Sequence, residues 1–174
     1  MLRILGKIQR IGIVTEPLPK LDEPALTEIG EQLKARIGEQ FGGSLAIREV
    51  DAGSCNGCEL EIHALNNPYY GIERFGVHFV ASPRHADMLL VTGPVSRHME
   101  EALRRTYAAM LEPRLVIAVG ACGADGGEFG ISYASCGAVA NVIPVDGVIR
   151  GCPPTPLQLM RGILEAIGRR PADR

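Results

Sequence analysis

From residue 44 onward the apolar residues gather in short runs: "SLAIREV" (44–50), "GVHFVAS" (76–82), "ADMLLVTG" (86–93), "PRLVIAVG" (113–120) and "ANVIPVD" (140–146). Stretches such as "MLLV" and "LVIAV" do not alternate with polar residues, which is how strands buried on both faces of a parallel sheet read. Around them the period changes to that of a helix. Leu26, Ile29, Leu33 and Ile37 fall on one stripe, after Asp22 and Pro24 that start a helix and before Gly42 and Gly43 that stop it. "SRHMEEALRRTYAAML" (96–111) predicts a second helix capped by Ser96. "TPLQLMRGILEAIG" (155–168) predicts a last one, with Thr155 as N-cap and Pro156 at the first helical position. Its apolar face carries Leu157, Met160, Ile163, Leu164 and Ile167.

Strands alternating with helices predict an α/β fold, an open, doubly wound, mainly parallel sheet of the flavodoxin-like kind. The expected division is an N-terminal arm and amphipathic helix (1–43) followed by an α/β domain (44–174). The arm carries Arg3, Lys7, Arg10 and Lys20 against Glu16. It reads either as a frayed terminus or as a segment that docks on a partner or an anionic surface. Lys7, Gln9 and Arg10 interrupt the continuous apolar stretch that a secretory signal needs. No run approaches the ~18 apolar residues of a membrane span.

Composition narrows the classes further. With 46% hydrophobic and 22% charged residues the chain is globular rather than disordered or coiled-coil. A net charge of -2 supplies no field for holding nucleic acid, so nucleic acid is not an expected partner.

Five cysteines without an export signal point to metal or redox chemistry rather than to a disulfide framework. Cys55 and Cys58 follow the first expected strand, in "DAGSCNGCEL"; Cys122 follows "RLVIAVGA"; Cys152 stands in "VIRGCPP". Loops after parallel strands gather at one sheet edge, so these four can converge although they are distant in sequence. Four thiolates select zinc or an iron-sulfur cluster. Structural zinc sites usually take their ligands as two short-spaced pairs, and only one pair exists here. Cys152 is followed by Pro153, like the Cys-Pro ending of ferredoxin-type ligand runs. Glycines flank each ligand and let backbone approach a cluster closely. These features favour a 4Fe-4S cluster over zinc. "GACGADGGEFG" matches no phosphate-binding glycine motif, and a thioredoxin-type dithiol would leave Cys122 and Cys152 unexplained. Cys136, ahead of "ANVIPVD", is expected before the opposite edge of that strand, as a small buried hydrophobe.

"CNGCELE", "SPRHADMLLVTGPVS", "GACGADGGEFG" and "VIPVDGVIRGCPPTP", in this order, resemble the small electron-transfer subunit shared by respiratory complex I and membrane-bound [NiFe] hydrogenases. The resemblance covers about residues 44–168. It implies that Cys55, Cys58, Cys122 and Cys152 hold one 4Fe-4S cluster, the terminal or proximal one of an electron wire. The spaced Cys55-Asn56-Gly57-Cys58 is similar to the group 4, formate hydrogenlyase-type branch, whereas the quinone-reducing complex I branch has adjacent cysteines. The implied role is an electron relay with catalysis on another chain. The implied partners are a large hydrogenase-like or quinone-site subunit, a ferredoxin-like iron-sulfur subunit and membrane subunits. The implied location is peripheral, on the cytoplasmic side of the cell membrane. A complex I-type quinone-reducing subunit and a zinc-stabilised scaffold are the alternatives. Glu61 matches a family glutamate near the cluster and reads either as a proton-coupling group or as a solvated helix-face carboxylate. Arg84 and His85 read as a partner contact or a solvated turn pair. His63, His78 and His98 show no ligand spacing and are expected to be structural or surface residues.

Overall fold

The computed structural model describes residues 23–168 and, ahead of them, Gly6, Gln9 and Arg10, which are helical. The rest of the expected basic arm lies outside the described residues. Five strands form a sheet that is parallel throughout: β1 (Leu45–Asp51), β2 (Val77–Phe79), β3 (Met88–Thr92), β5 (Leu115–Val119) and β7 (Gly147–Ile149). Their spatial order is β2-β1-β3-β5-β7. Counted along the sheet strands alone this is 2-1-3-4-5, the flavodoxin-like winding. A short antiparallel ribbon joins β4 (Val95–Ser96) to β6 (Ser135–Gly137).

Side chains alternate across the pleat, and here both faces are buried. Met88 and Leu90 of β3, with Ile117 and Val119 of β5, enter one core. Leu89 and Val91, with Val116 and Ala118, enter the other. The first core is covered by α1 (Glu23–Phe41), α2 (Gly57–Ala64) and α5 (Pro156–Gly168). The expected stripe of α1 packs there: Leu26, Ile29, Leu33 and Ile37 are all buried. Full burial of a side chain such as Leu33 is worth roughly 1.5–3 kcal/mol. Gly30 brings α1 close to its neighbours, since a Cβ at that position would overlap the Phe75 ring. The second core is covered by α3 (Arg97–Ala109), through Leu103, and by the segment carrying Val139, Val142 and Ile143.

Both expected caps form. The Ser96 hydroxyl accepts from the Met99 N–H (3.3 Å) at the start of α3. At α5 the Thr155 hydroxyl accepts from the Gln158 N–H (3.3 Å), and the Gln158 side chain accepts from the Thr155 N–H (2.8 Å). That exchange is a capping box.

One expected strand is displaced. "ANVIPVD" is not a strand; Val139–Asn141 is a 3-10 turn, and the fifth sheet strand is Gly147–Ile149. Pro144 has no N–H to give a central ladder, and Val142 and Ile143 pack into the second core instead. Asp146 then sets the register of β7: its carboxylate accepts from the Val116 N–H and its own N–H donates to the Val116 carbonyl, both at 2.8 Å. Asp87 plays the same part at β1, accepting from the Ala46 N–H at 2.9 Å.

Candidate metal centre

Four of the five cysteines sit in the segments that directly follow the C-terminal ends of sheet strands. After β1, the Asp51 carboxylate accepts from the Gly53 and Ser54 N–H groups, each at 2.8 Å, which turns the chain out of the sheet toward Cys55. Asn56 has a left-handed φ of 71° and leads into α2, which places Cys58 in its first turn. After β5, Gly120 (φ 80°) opens a short helix, α4 (Gly120–Asp125), that carries Cys122. After β7 come Arg150, Gly151 and Cys152, and the Ala121 N–H donates to the Gly151 carbonyl at 2.8 Å, tying these last two segments together.

The thiols of these segments share one neighbourhood. Burial pushes the Cys58 thiol up to about 12, and Glu59, Cys55, Cys122 and Cys152 push in the same direction. The Cys122 thiol is raised by burial first, then by Cys152 and Cys55. Three glycines form the floor: a Cβ at Gly120 would lie 2.6 Å from Cys58 Sγ, one at Gly127 would lie 2.8 Å from Cys122 Sγ, and one at Gly57 would lie 3.5 Å from Cys55 Sγ. Cys55 and Cys152 are exposed, Cys58 and Cys122 half-buried, so the cup opens outward. Among the described residues no three His, Cys, Asp or Glu side chains close on a single metal-ion position.

Cys136 lies elsewhere, for a different reason than the one expected. It sits in β6, whose partner β4 follows β3 after Gly93 and Pro94, so it too is beyond the C-terminal sheet edge. What separates it from the cup is burial in the second core and its contact with Glu100, whose Oε2 lies 3.2 Å from Cys136 Sγ. Glu100 in turn pairs with Arg104 (3.1 Å) and Arg97 (3.6 Å).

Glu61 is half-buried on α2, within electrostatic reach of Tyr70, whose phenol is raised by burial, then by Tyr69 and Glu61. Its neighbour Glu59, which pattern reading passes over, is more unusual. It is 5% exposed, and neither carboxylate oxygen has a hydrogen-bond partner among the described residues. Only the helix phase could have suggested it, since Cys58, Ile62 and Leu65 face the core and Glu59 borders that face. Glu49 on β1 is raised by burial first, lowered by His63 and raised by Glu59. Arg84 and His85 are exposed in a 3-10 turn after Ser82, and His63 and His98 are exposed as well.

A 2-1-3-4-5 parallel sheet with one cysteine pair and two single cysteines at its C-terminal edge defines an α/β protein built around a thiol cup. The chain belongs to the NADH ubiquinone oxidoreductase 20 kDa subunit family, whose profile matches residues 55–166. It is 39% identical over 168 residues to formate hydrogenlyase subunit 7 of Escherichia coli, covering 97% of this chain and 63% of that protein's length. It is 42% identical over 137 residues to the probable membrane-bound hydrogenase subunit mbhJ of Pyrococcus furiosus, 79% of this chain and 82% of the relative. Among solved structures it is similar to a chain of the membrane-bound sulfane sulfur reductase, an archaeal respiratory membrane complex, at TM-score 0.64 and 33% identity, covering 82% of this chain and 79% of that one. The family is one of subunits of oxidoreductase complexes of hydrogenase and complex I-like type. Among the described residues no helix is long and apolar enough to cross a membrane.

Proposed function

We propose that the chain is the electron-relay subunit of a membrane-bound, hydrogenase-type, complex I-like oxidoreductase, with one 4Fe-4S cluster held by Cys55, Cys58, Cys122 and Cys152. The observation that carries this reading is the shared thiol cup with its glycine floor. Structural zinc sites usually take their donors as two short-spaced pairs. The donors here are one pair and two single cysteines, with Gly57, Gly120 and Gly127 beside the Cys55, Cys58 and Cys122 sulfurs. That donor set suits four thiolates gripping a larger body. The raised Cys58 and Cys122 thiols point the same way: burial beside neighbouring sulfurs favours their protonated form, and a bound metal removes such a proton outright. When bound, the cluster supplies one-electron transfer. The chain's residues orient the ligands, through the Asp51 turn and the α2 and α4 starts, and keep side chains out of the cup.

The spaced Cys55-Asn56-Gly57-Cys58 favours the hydrogenase branch over the quinone-reducing one. Electrons pass between a ferredoxin-like subunit and an active site on a large subunit. Exposed apolar side chains stand close in the chain to the cup, Leu60 after Cys58 and Phe129 after Gly127, and Ile131 and Tyr133 follow, the last 98% exposed. Such side chains suit an obligate partner surface. The chain is peripheral, held at the cytoplasmic side of the membrane by its partners.

The test uses the anaerobically purified complex. We expect a brown protein with about four iron and four labile sulfides assigned to this subunit. Cys152→Ala abolishes or converts the cluster, whereas Cys136→Ala leaves iron content and the reduced-cluster EPR signal intact, with a modest stability loss. Stoichiometric zinc without iron, or the reverse behaviour of the two variants, refutes the reading.

A further inference from the structure

Two of the ligand-bearing segments are joined by charge as well as by backbone. Asp125 ends α4, three residues after Cys122, and Arg150 stands two residues before Cys152. Arg150 Nη1 donates to Asp125 Oδ2 at 3.0 Å, and the other carboxylate oxygen accepts from the Gly127 N–H at 3.0 Å. Those two bonds hold the Asp125 carboxyl below its ordinary range, the Gly127 N–H first, so it is ionised at neutral pH. The Gly127 N–H that it accepts from belongs to the glycine whose added Cβ would lie 2.8 Å from Cys122 Sγ, so the carboxylate stands at the rim of the cup. Both side chains are more than half exposed, and an exposed pair contributes only about 0–1 kcal/mol to stability. Holding the fold together is therefore a small part of what this pair can do.

We propose that Asp125 and Arg150 are positioning residues that set the reduction potential of the centre, Asp125 lowering it and Arg150 raising it. Reduction adds one negative charge at the cup. A fixed cation nearby favours that step and a fixed anion opposes it. The hydrogen bond between the two keeps the opposing charges at a constant separation on the rim, so their effects largely cancel. This inference rests on the cluster assignment proposed above.

Mediated redox titration of the purified complex, read by the EPR signal of the reduced cluster, tests it. Asp125→Asn moves the midpoint up and Arg150→Gln moves it down. Each change is about threefold in the reduction equilibrium, or ~28 mV at 59 mV per decade for one electron. The double variant lies between the two, and Arg150→Lys, which keeps the charge, stays nearer the parent than Arg150→Gln does. The shifts shrink as ionic strength rises, because exposed charges are screened. Shifts of the same sign, no shift, or loss of iron from either neutral variant would overturn the inference. Absence of an iron-sulfur signal in the parent complex is a separate result, and it would refute the cluster reading instead.

Discussion

Gly120→Ala tests whether the cup is built by its glycines. Gly120 has a φ of 80°, and a Cβ there would come 2.6 Å from Cys58 Sγ. Placing a side chain on left-handed backbone costs about 1–2 kcal/mol. Cys58 must also turn its sulfur away, at a further ~0.5–1.5 kcal/mol for leaving its rotamer, and a sulfur so turned no longer points into the cup. Gly42→Ala is the matched control, because Gly42 has a φ of 63° and nothing lies within 4 Å of the added carbon. The control bears the conformational cost alone. Iron and labile sulfide per complex, with the reduced-cluster EPR amplitude, should stay at the parent level in Gly42→Ala and fall by more than half in Gly120→Ala. Full iron in Gly120→Ala, or equal losses in the two variants, would refute the argument that clearance above Cys58 is what this glycine supplies.

Two carboxylates give further tests. Glu61→Gln keeps the shape of the side chain and removes its proton-exchanging group, so turnover of the complex should slow while the cluster still assembles; unchanged activity across pH would return Glu61 to a solvated carboxylate. Glu49 holds its proton more tightly when folded, because of burial, so its ionisation opposes folding above its raised folded value, and this cost fades as pH falls below the ordinary carboxylate range near 4.5. Glu49→Gln should therefore raise the urea midpoint of this subunit at pH 7 and raise it less at pH 4, and a larger gain at the lower pH would reverse the sign of the reasoning.

The sequence by itself determined most of the sheet and singled out the four candidate donors. Continuous apolar runs become strands only where both faces are covered, and β1, β3 and β5 lie where the runs stand, as do the α1 stripe and the caps at Ser96 and Thr155. The cysteine spacing, one pair and two singles after strands, marked a sheet-edge site because parallel strands end on one side. Tertiary structure decided the rest. An apolar run such as 140–146 reads the same whether it enters a ladder or packs beneath a helix; here the absent N–H of Pro144 and the second core drew it out of the sheet, and Asp146 began β7 three residues past Ile143. Cys136 shares the ligand edge in chain order and is set apart only by burial beside Glu100. Asp125 and Arg150 carry no mark in the sequence, and Glu59 carries only its helix phase. A buried carboxylate and a charge pair between segments are properties of which surfaces meet, and that becomes known only when the strands have been ordered and the helices laid across them.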